Sequence, residues 1–505
     1  MLFLSKTLKE MEEENKEIVM KKLMIQGTSS SAGKTTIVAG LCRVLAKSGK
    51  KVCPFKSQNM ALNSYVDEEG REVSRATALQ AEAAMTKVKV SMNPILLKAN
   101  RDDESQVLVE GVPFSTLKAK EYFSMSSQFK KIAKKNFEAL AKEYDYCILE
   151  GGGSPAEINL RQYDYVNMGM AEMIDAPVVL VGNIEIGGVF ASLYGTVMLL
   201  DEEDRKRIQG IIINKFRGDI DLLKPGIAML EERLAKEGYS IPVLGVLPCM
   251  DIALEEEDSL SSQFLQKKPE KEKIVISILK GKQMGNTTDF QPLLQYSDVL
   301  LRYVESPEEL GEEDLIILAG SKNTLEEVEY FRSKGFDKKL QEMHGKGISI
   351  LGICGGFQAL GDQITDPLHI DGNLEKVEGF HLFSMTSTME EEKVKRQVRQ
   401  KINMEEGLLK GCLGMEVEGY EIHHGRSSIL SPIYGKDEVY GTYIHGIFEN
   451  GEFTRVFLNN LRKRKKYRTE EKAKDYRKFK DLQYETLAKN IEKHINMEKL
   501  YQIFR

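Results

Sequence analysis

Tryptophan is missing from this chain of 505 residues, and histidine (7) and cysteine (6) are sparse. The tryptophan gap says nothing about function, but the cysteines do. Cys42, Cys53, Cys147, Cys249, Cys354 and Cys412 form no CxxC pair and no Cys/His cluster at zinc spacing, which argues against a structural zinc site. Five of them read as small buried hydrophobes of a reducing compartment, and only Cys354 stands apart, because of its neighbours. No apolar run approaches the roughly 20 residues of a membrane span. Met1 to Leu4, followed by Glu-rich sequence, is not a secretory signal. Positive charge is not in excess: 71 Lys and Arg against 77 Asp and Glu give a net charge of −6, without the basic footprint of nucleic-acid binding. These absences predict a cytoplasmic protein with neither nucleic acid nor membrane as a partner. Oligomeric state is not legible.

What is present is a folded composition, 41% hydrophobic and 29% charged, on a chain long enough for two to four domains. Apolar runs at Lys22 to Gln26, Val52 to Lys56, Tyr146 to Glu150, Val178 to Asn183, Gly210 to Phe216 and Pro242 to Pro248 alternate with helical stretches. A second series follows at Ile274 to Leu279, Asp298 to Val304, Leu315 to Ala319 and Ile348 to Ile353. Continuous apolar strands alternating with helices predict an α/β protein with two doubly wound, mostly parallel-sheet domains. The expected organisation is an extension (1–20), an ATP-dependent domain (21–250), a charged linker (251–272), a second α/β domain (273–455) and a C-terminal helical segment (456–505). In that last segment Phe479, Leu482, Leu487 and Ile491 recur at helical spacing.

Gly27-Thr28-Ser29-Ser30-Ser31-Ala32-Gly33-Lys34-Thr35-Thr36 leaves the first strand and opens a helix, the context of a phosphate loop. Thr28 stands where the usual pattern has glycine. Thr28, Ser29, Gly33, Lys34, Thr35 and Thr36 are the candidate ATP contacts. Lys34 is expected to reach the terminal phosphates and the Thr35 hydroxyl to ligate Mg²⁺. Glu150, ending the strand Tyr146 to Glu150 ahead of Gly151-Gly152-Gly153, is the candidate acidic partner for that metal. The polar cluster Lys56-Ser57-Gln58-Asn59-Met60, with Asn63-Ser64, also ends a strand and reads equally as a ligand wall or a plain loop.

Gly352-Ile353-Cys354-Gly355-Gly356 reads as a nucleophile elbow, a turn from strand to helix too sharp for side chains beside the nucleophile. The helix N-terminus favours thiolate. The Gly355 N–H and the loop Gly320-Ser321-Lys322-Asn323 are the expected oxyanion and glutamine-site donors. His445, in Tyr443-Ile444-His445-Gly446, is the candidate base; His344, His369, His381, His423, His424 and His494 read as structural. Cys354 with His445 would hydrolyse an amide, and a phosphate loop on the same chain would activate a carboxylate. Together they predict an enzyme that takes ammonia from L-glutamine and attaches it to a carboxylate at the expense of ATP.

The elbow and Tyr443 to Gly446 resemble class I glutamine amidotransferase domains. Many of those carry Glu two residues after the His; here that position is Ile447, Glu449 lies close by, and the departure resembles the cobyrinic-acid-amidating branch, where a Cys-His pair suffices. The phosphate loop is spaced as in dethiobiotin synthetase and its relatives. Phe55 to Ser64, Arg75 to Ala84, Met92 to Lys98, Glu150 to Leu160, Thr288-Asp289-Phe290, Gly320 to Thr324 and Gly419 to Gly425 resemble the cobyric acid synthase family over about residues 22 to 500. Ala319 and Ala99 stand where that family commonly has Pro. The resemblance implies amidation of the b, d, e and g carboxylates of adenosylcobyrinic acid a,c-diamide, with glutamine and ATP consumed each time. It also implies a corrinoid partner, for which Arg75, Lys98, Arg101 and Arg161 are candidate contacts. Alternatives are cobyrinic acid a,c-diamide synthase, an amidotransferase acting on another carboxylate such as a cell-wall lipid intermediate, and a partition-type ATPase. The signature lysine of the last would fall at position 29, which is Ser29.

Overall fold

The computed structural model describes residues 20–101, 104–250, 252, 254, 272–429 and 431–505. Nearly all of the expected extension and linker lie outside the described residues, as does the side chain of Arg101.

The first half is built on a six-stranded parallel sheet in the order Val243–Pro248, Ile208–Phe216, Val178–Asn183, Lys21–Gly27, Tyr146–Glu150, Val52–Phe55. All six residues of Val178–Asn183 are buried, as expected of a β-branched, valine-rich strand covered on both faces. Lys21–Gly27 lies inside this sheet, with Tyr146–Glu150 and Val52–Phe55 on one side of it and Val178–Asn183, Ile208–Phe216 and Val243–Pro248 on the other. The crevice beyond the carboxyl end of Lys21–Gly27 is therefore a topological switch point, where ligands collect. The helix Lys34–Lys47 starts there.

A second sheet runs Val299–Val304, Ile274–Leu279, Leu315–Leu318, Ser349–Ile353, Val439–Thr442, all parallel, with Tyr434–Lys436 added antiparallel at the edge. Every predicted strand forms within a residue or two of its expected ends.

Two antiparallel pieces were not foreseen. One inserts into the first half: Gln58–Met60, Ile95–Arg101, Glu104–Val109 and Val112–Lys118, with a small pair Ser64–Val66 and Glu72–Ser74. The other inserts into the second half and carries the long hairpin Thr386–Lys401 with Glu416–Ser427. They meet. Val66 packs with Tyr420 and Ile422, Tyr65 lies 5.5 Å from Tyr420 between ring centroids, and the Tyr420 hydroxyl donates to the Ser64 carbonyl at 3.0 Å.

The last helices split between the two cores. Gly451–Lys465 buries Phe453, Phe457, Leu458 and Leu461 in the second. Tyr476–His494 crosses back to the first: Leu487 and Ile491 press so closely on Gly40 that a Cβ there would lie 2.3 Å from Ile491 Cδ1. Its N-cap is Asp475, whose carboxylate accepts the Lys478 N–H at 3.0 Å. No helix among the described residues is long and apolar enough to cross a membrane.

Candidate active sites

The phosphate loop sits at the switch point. Gly33 has φ 90°, and a Cβ there would fall 2.2 Å from Asn214 Nδ2, itself held by donating to the Ala32 carbonyl at 2.9 Å. Only glycine fits, because a side chain would be both left-handed and overlapping. Lys34 is buried, its ammonium curled onto the carbonyls of Ser29 (2.9 Å) and Gly153 (3.0 Å). Thr35 donates its hydroxyl to Glu150 Oε1 at 2.9 Å, and Lys56 Nζ reaches the same oxygen at 3.0 Å. Gln80, which sequence reasoning missed, donates to the other oxygen of Glu150. The expected hydroxyl and carboxylate are thus side by side, a pair of hard oxygen donors of the kind Mg²⁺ takes beside phosphates. Thr28, Ser29 and Lys34 line the adjoining cavity, while the Thr28 N–H is committed to the Val181 carbonyl at 2.9 Å. Thr36 is half-buried in the first helical turn.

That cavity has a volume of about 1010 Å³ and extends from the loop over Asn59, Leu62, Leu97, Tyr122 and Tyr165. It lies at the upper end of the range for small-molecule sites. Of the polar cluster, Lys56, Gln58, Asn59 and Met60 line this cavity. Of the four cations suggested as corrinoid contacts, Arg161 lines the cavity, bound to Asp204 (2.6 Å) and Glu172 (2.9 Å). Lys98 and Arg75 are placed elsewhere. Lys98 is buried against Glu72 between the halves, and Lys393 reaches Glu72 from the long hairpin at 2.9 Å. Arg75 lies over the Tyr65 ring and pairs with Glu449 at 3.4 Å. Both sit on short strands or helices of the first insert, whose contact with the second half has no local signal in sequence.

The elbow forms as read. Cys354 has φ 53° and ψ −112°, a conformation side chains avoid, held between Ser349–Ile353 and Gly355–Ala359. A Cβ on Gly352 would meet the Gly356 carbonyl oxygen at 2.4 Å, so the flanking glycines are steric necessities. Gly320 abuts both partners: a Cβ there would lie 3.4 Å from His445 Cε1 and 3.6 Å from Cys354 Cβ. Gly355 faces Thr324 and the Ser321 N–H.

The Cys354 thiol donates to the Ile422 carbonyl at 3.7 Å, and beside it, across Gly320, His445 is buried. Its Nδ1 lies 2.7 Å from Asp289 Oδ2, and Asp289 Oδ1 accepts the Gly446 N–H at 2.9 Å. Burial alone would strip the imidazole of its proton, but the Asp289 carboxylate, with Cys354 nearby, outweighs it and pushes the pKa up to about 10. Asn286 sits 3.1 Å from His445 Nε2, and its Oδ1 accepts the Ser64 N–H at 3.2 Å. Glu449, near in sequence, instead pairs with Arg75 and Lys480. His423 and His424, read as structural, line the small cavity over Cys354 with Lys322 and Asp371. Burial drives both imidazoles down to about 4, so they are neutral there.

Sequence comparison agrees with this division. Residues 23–260 match the CobQ/CobB/MinD/ParA nucleotide-binding domain, and residues 275–453 the CobB/CobQ-like glutamine amidotransferase domain. A cobyric acid synthase of Caldanaerobacter subterraneus subsp. tengcongensis is 45% identical over 95% of this chain and 98% of its own. One of a Thermoanaerobacter species is equally similar. One of Lachnoclostridium phytofermentans is 43% identical over 96% of this chain and 99% of its own.

Proposed function

Since the chain belongs to the cobyric acid synthase family, glutamine-hydrolysing ligases of cobalamin biosynthesis, we propose that it amidates the b, d, e and g carboxylates of adenosylcobyrinic acid a,c-diamide in the cytoplasm. The observation that carries this reading is that Leu62 lines both the large cavity at the phosphate loop and the small one at Cys354. The two proposed sites thus share a wall at Leu62.

The Cys354 thiolate attacks the amide carbon of glutamine, Gly355 and the Gly320 loop steady the oxyanion, and His445 protonates the departing ammonia. Water then hydrolyses the thioester to glutamate. In the large cavity Lys34 draws the γ-phosphate of ATP toward the acceptor carboxylate, giving ADP and an acyl phosphate that ammonia displaces. Thr35 and Glu150 would hold Mg²⁺, which when bound neutralises charge on the phosphates. Lys56 is paired to Glu150 within the same wall.

Mass spectrometry tests the substrate. Incubated with adenosylcobyrinic acid a,c-diamide, glutamine and Mg-ATP, the protein is expected to give four successive replacements of acid hydroxyl by amide. ATP and glutamine turnover without any conversion sinks this acceptor and turns the search to other carboxylates, cobyrinic acid first.

A further inference from the structure

The glutaminase reading supplies a nucleophile and a base but nothing that fixes the base. An imidazole free to rotate about χ2 loses the geometry proton transfer needs, so such sites commonly hold the second ring nitrogen. The position where many class I domains place that group is Ile447, whose apolar side chain is buried.

We propose that Asp289 is the positioning residue of the glutaminase site, holding His445 by Nδ1 so that Nε2 serves Cys354. The carboxylate comes from the 3-10 segment Thr287–Gln295, 156 residues before His445 in the chain. It grips twice: Oδ2 on the ring nitrogen at 2.7 Å and Oδ1 on the Gly446 N–H at 2.9 Å. The second contact fixes the turn that carries the histidine, so ring and backbone are set by one group. Asp289 is itself buried, where a carboxylate needs partners of this kind. The Tyr420 ring stacks on the imidazole at 5.2 Å and closes the opposite face.

The groups facing His445 are few. Asp289 comes from the 3-10 segment, Cys354 from the elbow, and His423 and Tyr420 from the strand Glu416–Ser427. Asn286 is the neutral neighbour. Asp289 is the anion that keeps the ring protonated when Cys354 is not ionised. Removing its charge while keeping its shape, as Asn, lowers the pH at which the imidazolium loses its proton.

The inference rests on the glutaminase reading, so its test is release of glutamate from glutamine by the full chain, with Cys354→Ala as control. Retained hydrolysis in that control defeats the glutaminase reading, not the role of Asp289. In Asp289→Asn the kcat for glutamine hydrolysis is expected to fall by about 10²- to 10⁴-fold, the scale of losing a base-orienting carboxylate, with KM little changed. The alkaline limb of the pH profile is expected to move to lower pH. Asp289→Glu is expected to recover part of the rate, and amidation driven by ammonium to survive in both variants. An unchanged kcat or an unmoved alkaline limb in Asp289→Asn overturns the proposal. So does loss of the ammonium-driven reaction in both variants, since Asp289 would then hold the fold rather than the ring.

Discussion

The two cavities differ in almost every respect. The one at the phosphate loop is about 1010 Å³ and is walled by Asn59, Met60, Leu117, Tyr122 and Phe123, much of it from the antiparallel insert. The one at Cys354 is about 70 Å³, far below the usual range for ligand sites, and is lined by Lys98, Lys322, Lys393, His423, His424 and His445. On the proposed function, a nucleotide and a bulky multiply charged acceptor need the first, and the amide end of one amino acid needs the second. The difference teaches that the halves solve opposite problems. One must admit large partners repeatedly, and the other must keep a reactive thiol and a small product away from water.

Separate chemistry in separate cavities should break separately, and here the largest effects are expected. Cys354→Ala should abolish glutamine-dependent amidation, by on the order of 10⁴-fold or more, as for loss of other covalent nucleophiles. Amidation fed by high ammonium should persist. Lys34→Ala should lower both donor reactions by about 100- to 1,000-fold, the scale for removing one charge-stabilising group, and leave glutamine hydrolysis standing. Steady-state rates with each donor decide it. Ammonium-driven activity lost in the first variant, or retained in the second, collapses the division.

How far this division was legible depends on where the constraint lay. The phosphate loop and the elbow were readable because backbone geometry forces glycine at fixed local positions: Gly33 against Asn214, Gly352 against Gly356. The parallel strands were readable because burial on both faces demands unbroken apolar runs. Asp289 was not, since it reaches His445 across 156 residues and no local pattern announces it. The hairpin strand Thr386–Lys401 was hidden by its own chemistry: it is mostly exposed, and a run such as Glu390-Glu391-Glu392-Lys393-Val394-Lys395-Arg396 reads as a solvated surface. In the last long helix the period was right, but one of the four residues lies off the buried face. Leu487 and Ile491 are buried, whereas Leu482 is 60% exposed.

The wall between the cavities offers an intermediate test. If ammonia passes at Leu62, Leu62→Trp should lower glutamine-driven amidation by roughly 10- to 100-fold more than it lowers glutamine hydrolysis or ammonium-driven amidation, the scale on which misplacement of a reactant costs rate. Glutamate formed per amide formed is the quantity to measure. A ratio unchanged from the parent rules out passage at that point.

Stability probes the same boundary. Burial pushes the Glu72 carboxyl up, but the ammonium groups of Lys393 and Lys98 outweigh it and hold it well below the usual carboxylate range. A carboxylate depressed in the folded state contributes stability above its unfolded pKa of about 4.3. That contribution is lost as pH falls through the folded value. Glu72→Gln leaves buried Lys98 and partly buried Lys393 without their anion and should cost about 3–5 kcal/mol at neutral pH. Denaturant midpoints at pH 7 test it, and a variant as stable as the parent there contradicts it.

The smallest effect bears on whether the cavities sense each other. Asn63 Oδ1 accepts the Thr287 N–H at 3.4 Å, and the next residue, Ser64, donates its N–H to Asn286, which in turn touches His445. The residues that follow Leu62 are thus hydrogen-bonded to the segment that carries Asp289. The Asn63 bond is long and between neutral groups, so its loss is worth about 0.5–1 kcal/mol, a change of only about two- to fivefold in any rate it controls. If acceptor and ATP act on the glutaminase through this segment, Asn63→Ala should leave basal glutamine hydrolysis unaltered and reduce its stimulation by the two substrates by that factor. Stimulation equal to the parent's would mean that the contact joins the halves mechanically and carries no signal between them.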